Sequence, residues 1–353
     1  MRGGFWALIN RALTVDAKSL RPHLYRLFFV GINCLSVLWC EATSMVSGAP
    51  GLRLFQSIAH IDMVLLTIAG FSIFATAISE EKEDQMIGLL KMTGVSHIGL
   101  ILGKSTSRMF SVLMLLVVQL PFTLFAITLG GILMHQMFAA YLALFAYLVL
   151  VANLGLFCSV VTPTARSAAG LAGVLLVCYF TLPSIAWALV GTLPTGAVVF
   201  WDEVIEFIAQ TSVVYRLNET MATGFVGSPW SVQVWTNLAA GAVFFFASWL
   251  VFDACTQSDD TSGGVLSLWK RRSRRSRPCW NAALVWKDFR FVTGGLPMLG
   301  VKIFAIVVIV WLLASINSPA SAHDIGQYLL IVVCPIAIIE SAIYASRVFR
   351  DEL

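Results

Sequence analysis

Long apolar runs separated by short polar segments dominate the chain. Eight runs approach the roughly 20 residues a helix needs to cross a bilayer. They lie near 24–46, 61–79, 108–131, 136–161, 168–191, 233–252, 297–315 and 325–346. Each is continuously apolar rather than alternating, which predicts helices and argues against a barrel. The polar segments between them carry patterns of their own. Residues 81–104 form an acid-headed amphipathic stretch between the second and third runs. Residues 192–232 are too polar to span. There Asp202, Glu203 and Glu206 alternate with Phe200, Trp201, Phe207 and Ile208, and Pro194, Gly196, Gly227 and Pro229 bracket the stretch. This predicts one or two short amphipathic helices on the outer face. Residues 4–20 and 279–293 set Trp beside Lys or Arg, a mixture suited to a helix lying in the headgroup layer. Trp6, Leu13, Asp16 and Lys18 mark the first of these as an interfacial elbow.

The pattern restarts near residue 280. Leu13-x-x-Asp16-x-Lys18 matches Val285-x-x-Asp288-x-Arg290, and the acidic pairs Glu80-Glu81 and Asp351-Glu352 close the second and eighth runs. One offset of about 271–272 residues relates all the landmarks, as expected of a duplicated unit. The predicted organisation is a six-span unit over 1–254, a basic linker over 255–279, and a partial repeat over 280–353 with an interfacial helix and two spans. The fold class is therefore an all-α polytopic membrane protein.

Composition agrees. Of 353 residues, 58% are hydrophobic and 12% charged, where soluble domains carry about 25% charged residues. Lys and Arg collect in alternate connections: before the first run, at 82–108, at Arg166, at 270–277, and after the eighth run. By the positive-inside rule both termini face the cytoplasm, with the inner membrane as location. Arg53 and Arg216 are exceptions. The 270–277 cluster, on an inner connection, suits anionic lipid headgroups better than nucleic acid. The seven cysteines form no C-x-x-C pair and the five histidines share no helical face, so neither a metal site nor another cofactor is expected.

Within 81–104, Glu80, Glu81, Glu83 and Asp84 crowd a helix start, where the dipole favours acids. Met86, Leu89 and Leu90 follow on one side, Thr93-Gly94 reads as the stop, and Ser96 caps the next helix. The stretch then enters the membrane through Gly103-Lys104. Read alone, this is a rigid surface helix tethered to a span at each end, or an ordinary amphipathic connection. The segment resembles the cytoplasmic coupling helix of the ABC type-2 exporter permeases. It matches in the acidic head (Glu81, Lys82, Glu83), the pair Leu89-Leu90, the turn Thr93-Gly94, Ser96, and Gly103-Lys104. Gln85-Met86 stands where that family has Gly-Thr, and Gly94 where it has Pro. The resemblance covers about residues 5–255. It implies a transmembrane subunit that pairs with a separate ABC ATPase subunit and with a second permease half, as a homodimer or a longer relative. It also implies ATPase docking through Glu80, Glu81, Glu83, Asp84, Met86, Leu89, Leu90, Thr93, Gly94 and Ser96.

Gly99-Leu-Ile-Leu-Gly103-Lys104-Ser105 mimics a phosphate loop but has three residues between its glycines instead of four. No ATPase site is expected in the chain, which is read as a transport subunit and not an enzyme. Polar residues within the runs are the remaining candidates, since burying them in lipid is costly. They are Asn33, Glu41, Asp62, Gln119, Asn153 and Glu340, with Glu41 and Asp62 placed toward the outer ends of neighbouring spans. Two other functions fit the pattern: a non-transporting scaffold or inactive truncated paralogue, and a proton-coupled transporter using that carboxylate pair.

Overall fold

The computed structural model describes residues 20–43, 50–83, 97–190 and 195–256, and every regular element among them is an α-helix. The elbow, residues 84–96, most of the linker and the whole partial repeat lie outside the described residues. In chain order the helices are α1 (Leu20–Thr43), α2 (Pro50–Ala75), α3 (Ser79–Glu83), α4 (His97–Thr128) and α5 (Met134–Val161). They continue as α6 (Ala165–Val190), α7 (Thr195–Thr211), α8 (Val213–Thr220) and α9 (Val232–Thr256).

Four segments are long and apolar enough to cross a membrane: Pro50–Glu83, Ile101–Thr128, Met134–Val161 and Val232–Phe252. These correspond to the second, third, fourth and sixth expected spans. The described apolar stretches Arg26–Leu38 and Ser167–Pro183, on the first and fifth expected spans, are shorter. The chain is thus an α-helical membrane protein with four spanning helices among the described residues, and on the first and fifth expected spans α1 and α6 run 24 and 26 residues.

The second span also begins earlier than its apolar run suggests. Its helix opens at Pro50 rather than near 61, because proline's fixed φ suits the first helical position. Arg53, Gln56, Ser57 and His60 lower the hydropathy there without breaking the helix. Ser57 Oγ donates to Arg53 O at 3.0 Å, and His60 Nδ1 lies 2.8 Å from Gln56 O. Such bonds one turn back give each of these side chains a partner within its own helix. Asp62 therefore sits at the middle of α2, not at its outer start.

Antiparallel and parallel neighbours alternate as a serpentine of spans requires. On the α2–α4 contact, Gly51 meets Gly130 and Arg108 meets Ile73, so those helices run antiparallel. On α2–α5, Thr67 pairs with Tyr147, Gly70 with Val151 and Phe74 with Gly155, so these run parallel. On α5–α9, Gln233 bonds Ala143 and Gly241 packs on Val149, again parallel. Small residues let the backbones approach. A Cβ on Gly155 would lie 2.9 Å from Phe74 Cβ, and one on Gly70 would lie 2.8 Å from Val151 Cγ1. This is the packing that helices use where lipid removes a hydrophobic drive between them.

The central helix is α5: 72% of its spanning window is buried, against 22% for α9. Tyr147, Leu144, Leu148 and Leu156 of α5 meet a core that includes Phe55, Ile58, Leu66 and Phe74 of α2. Large apolar side chains such as Leu27, Val243 and Leu250 point outward, each at least 65% exposed. In water such a surface would be an aggregation hazard, and in a bilayer it faces acyl chains.

Two compact units divide the chain. The first takes in residues 1–172 and 183–262, and the second takes in 173–182 and 263–353. Within the described part of the second, Thr181 Oγ1 donates to Val177 O at 2.9 Å and the Tyr179 and Phe180 rings meet edge-on.

Candidate functional site

Two helix ends in the first unit concentrate polar chemistry. At the first, the chain leaves α2 through a tight turn at 76–78 and forms the five-residue α3, Ser-Glu-Glu-Lys-Glu. Ser159 Oγ of α5 accepts the amide hydrogens of Ile78 at 2.7 Å and Ser79 at 2.9 Å, and Ser79 Oγ donates to Ala75 O at 3.1 Å. The turn is thereby fixed to α5. Ala77, Ile78, Ile101, Leu156, Val160 and Phe252 close a small apolar cluster under it.

Each charged side chain of α3 then finds a different partner. The Glu80 carboxylate lies 3.3 Å from the Arg108 guanidinium on α4, and Arg108 also donates to Thr76 Oγ1 at 3.1 Å and to Ile73 O. Glu81 pairs with Lys104, one turn earlier on α4. Lys82 Nζ donates to Val160 O and, at 3.1 Å, to Thr162 O, the carbonyls that end α5. Glu83 Oε1 accepts the Ala165 N–H at 2.9 Å, at the start of α6. A cation thus meets the negative end of one helix and an anion the positive end of the next, which favours both. Just past the α9 span, burial raises the pKa of the Cys255 thiol, opposed by the Lys82 ammonium. Five residues therefore fasten α2 to α4, α5 and α6 at one end of the bundle.

The opposite end is built around Arg216 of α8, which is 3% exposed. Its guanidinium bonds Glu219 at 2.8 Å and the Ser228 carbonyl, and stands 5.2 Å from the centre of the Phe225 ring, which stacks on His135. Gln136 Nε2 reaches Thr220 O at 3.2 Å and Ala222 O at 3.1 Å, while its Oε1 accepts the Leu133 N–H at 2.9 Å. The expected amphipathic helices of 192–232 are α7 and α8. Trp230 and Trp235 lie beside them, exposed and 5.5 Å apart.

Of the expected docking residues, Glu80, Glu81 and Glu83 are brought together here. Glu80 is 56% exposed and Glu81 only 14%, so the Glu81 charge is committed to the protein's own interior. Asp84, Met86, Leu89, Leu90, Thr93, Gly94 and Ser96 lie outside the described residues, as do Trp6, Leu13, Asp16, Lys18 and Glu340. Glu41 falls on α1, with its side chain outside the description. Asn153 bonds its own helix through Val149 O at 2.9 Å, and Asn33 does so through Phe29 O at 3.0 Å. Asp62 and Gln119 are buried. Sequence reasoning counted Arg108 only as an orientation charge, and Lys104 as that and as part of the Gly103-Lys104 motif, but neither as an ion-pair partner. Their i, i+4 spacing beside two acids on the preceding span was the available signal for the ion pairs. Ser159 carried none, because its partners are backbone amides some 80 positions away.

No protein-family model matches the chain, and a search of curated proteins finds no match. Its class rests on its own residues: an all-helical membrane protein whose spans are joined at one end by a charged helix.

Proposed function

We propose that the chain is the transmembrane permease subunit of an ATP-driven exporter, driven by a separate ATPase that docks on the segment 80–97. A six-span unit led by the elbow helix pairs with a second half. It sits in the inner membrane with both termini and α3 on the cytoplasmic side. One observation carries this reading. The first residues of the docking segment each hold a different neighbour, so a push on that segment is transmitted to α2, α4, α5 and α6 together rather than absorbed by a loose connection. The acid-headed pattern and Gly103-Lys104 support it from the sequence side.

The test is co-purification. The chain and a candidate ATPase are co-expressed, extracted in mild detergent and captured through a tag on the chain, beside the double variant Glu81→Lys with Leu89→Asp. The expected result is an ATPase recovered with the wild type and lost with a variant that still elutes as a single folded species. A folded wild type that captures no ATPase overturns the exporter reading and leaves a non-transporting scaffold in its place.

A further inference from the structure

The core of the bundle contains polar atoms that its own packing leaves without partners. Asp62 of α2 is 1% exposed, and Gln119 of α4 and Asn33 of α1 are fully buried. Asp62 Oδ1, both polar atoms of the Gln119 side chain, and Asn33 Oδ1 have no hydrogen-bond partner among the described residues.

The helix register sets these groups at one depth. Gly51 meets Gly130, and Ile73 meets Arg108, along the antiparallel α2–α4 contact. Asp62 lies eleven positions from both Gly51 and Ile73, and Gln119 eleven from both Gly130 and Arg108, so the two stand at the same level. The parallel α2–α5 contact pairs residues 80 or 81 apart, as Thr67 with Tyr147 and Phe74 with Gly155. That offset puts Asp62 opposite residues 142–143, next to Tyr141, whose phenol oxygen lies 3.3 Å from Thr123 Oγ1 on α4. Asn33 lies on α1, which packs against both α2 and α4. Packed helices thus carry buried polar oxygens, with those of Asp62, Gln119 and Tyr141 near one level of the bundle.

Burying a carboxylate or a carboxamide in hydrocarbon without a partner is unfavourable. A proton on Asp62 would add one donor and satisfy one acceptor. The Gln119 and Asn33 oxygens together need more than that. A divalent ion would leave a net positive charge buried beside one carboxylate. A hard monovalent cation balances the charge and takes several oxygens at once, as carboxylate and carbonyl ligands favour. We propose that Asp62, Gln119, Asn33 and Tyr141 form an intramembrane site for a single alkali metal cation.

The test uses the full chain in lipid nanodiscs, with radiolabelled Na+ and, standing for K+, radiolabelled Rb+ as probes, and choline as the inert counter-cation. The wild type should bind one of the two ions saturably and release it to excess unlabelled ion. Asp62→Asn should abolish binding. Gln119→Leu, which removes orphaned polar atoms and keeps the helix apolar, should weaken it on the order of tenfold or more. Asn153→Ala should bind like the wild type, since Asn153 only bonds its own helix. If Asp62→Asn does not fold, Gln119→Leu still decides the matter. A wild type that binds neither ion, or a Gln119→Leu variant that binds as tightly as the wild type, overturns the site.

Discussion

Ser159 holds two amide hydrogens of another segment through a single oxygen, and both amides belong to the turn that starts α3. Removing the hydroxyl leaves two buried donors unsatisfied, a penalty of about 1–3 kcal/mol for each group so left. Ser159→Ala is therefore expected to lower the thermal midpoint in detergent clearly, whereas Thr164→Ala, at an exposed helix start, should lower it less. Residue by residue, the sequence displayed the acids of α3 but not their partners. Asp62 was visible as a polar residue in an apolar region. Its depth was not, because Arg53, Gln56, Ser57 and His60 hid the first turns of the helix that carries it.

At the scale of elements, α2 runs for 26 residues before the turn at 76–78. At 1.5 Å per residue it is about 39 Å long, against a hydrocarbon core of about 30 Å. The helix exceeds the core by more than a turn, and the acidic tip α3 beyond it is the part with partners suited to an aqueous interface. Glu81 and Lys104 join this tip to α4. Glu81→Lys alone should loosen the joint, and the exchange Glu81→Lys with Lys104→Glu should restore the thermal midpoint. The same exchange separates two roles for Glu81. If its charge only braces α3, the exchanged protein should capture the ATPase as the wild type does. If it touches the ATPase, capture should stay weak although stability returns. Hydropathy found these elements but misjudged their limits, because it averages over polar residues that a helix accommodates through bonds to its own carbonyls.

For the molecule as a whole, the alternation of antiparallel and parallel neighbours puts α3 and α8 at opposite ends of the bundle. In a cysteine-free background, Val226→Cys (91% exposed in the wild type) should react with a membrane-impermeant maleimide on intact cells. Glu83→Cys should react only after permeabilisation, and the reverse pattern would invert the proposed orientation. The proposed orientation rests on Lys and Arg placement, because membrane insertion reads loop charge directly. The sequence by itself determined that the chain is helical, that it lives in a membrane, and where its polar interruptions fall. Each of those follows from the length and polarity of contiguous segments. Only the tertiary structure decided which helix is central, that α3 is locked to its neighbours, and that Asp62 and Gln119 share a depth. Those depend on register between segments far apart in sequence, which is fixed by small residues such as Gly51, Gly70 and Gly155 that let particular backbones come close.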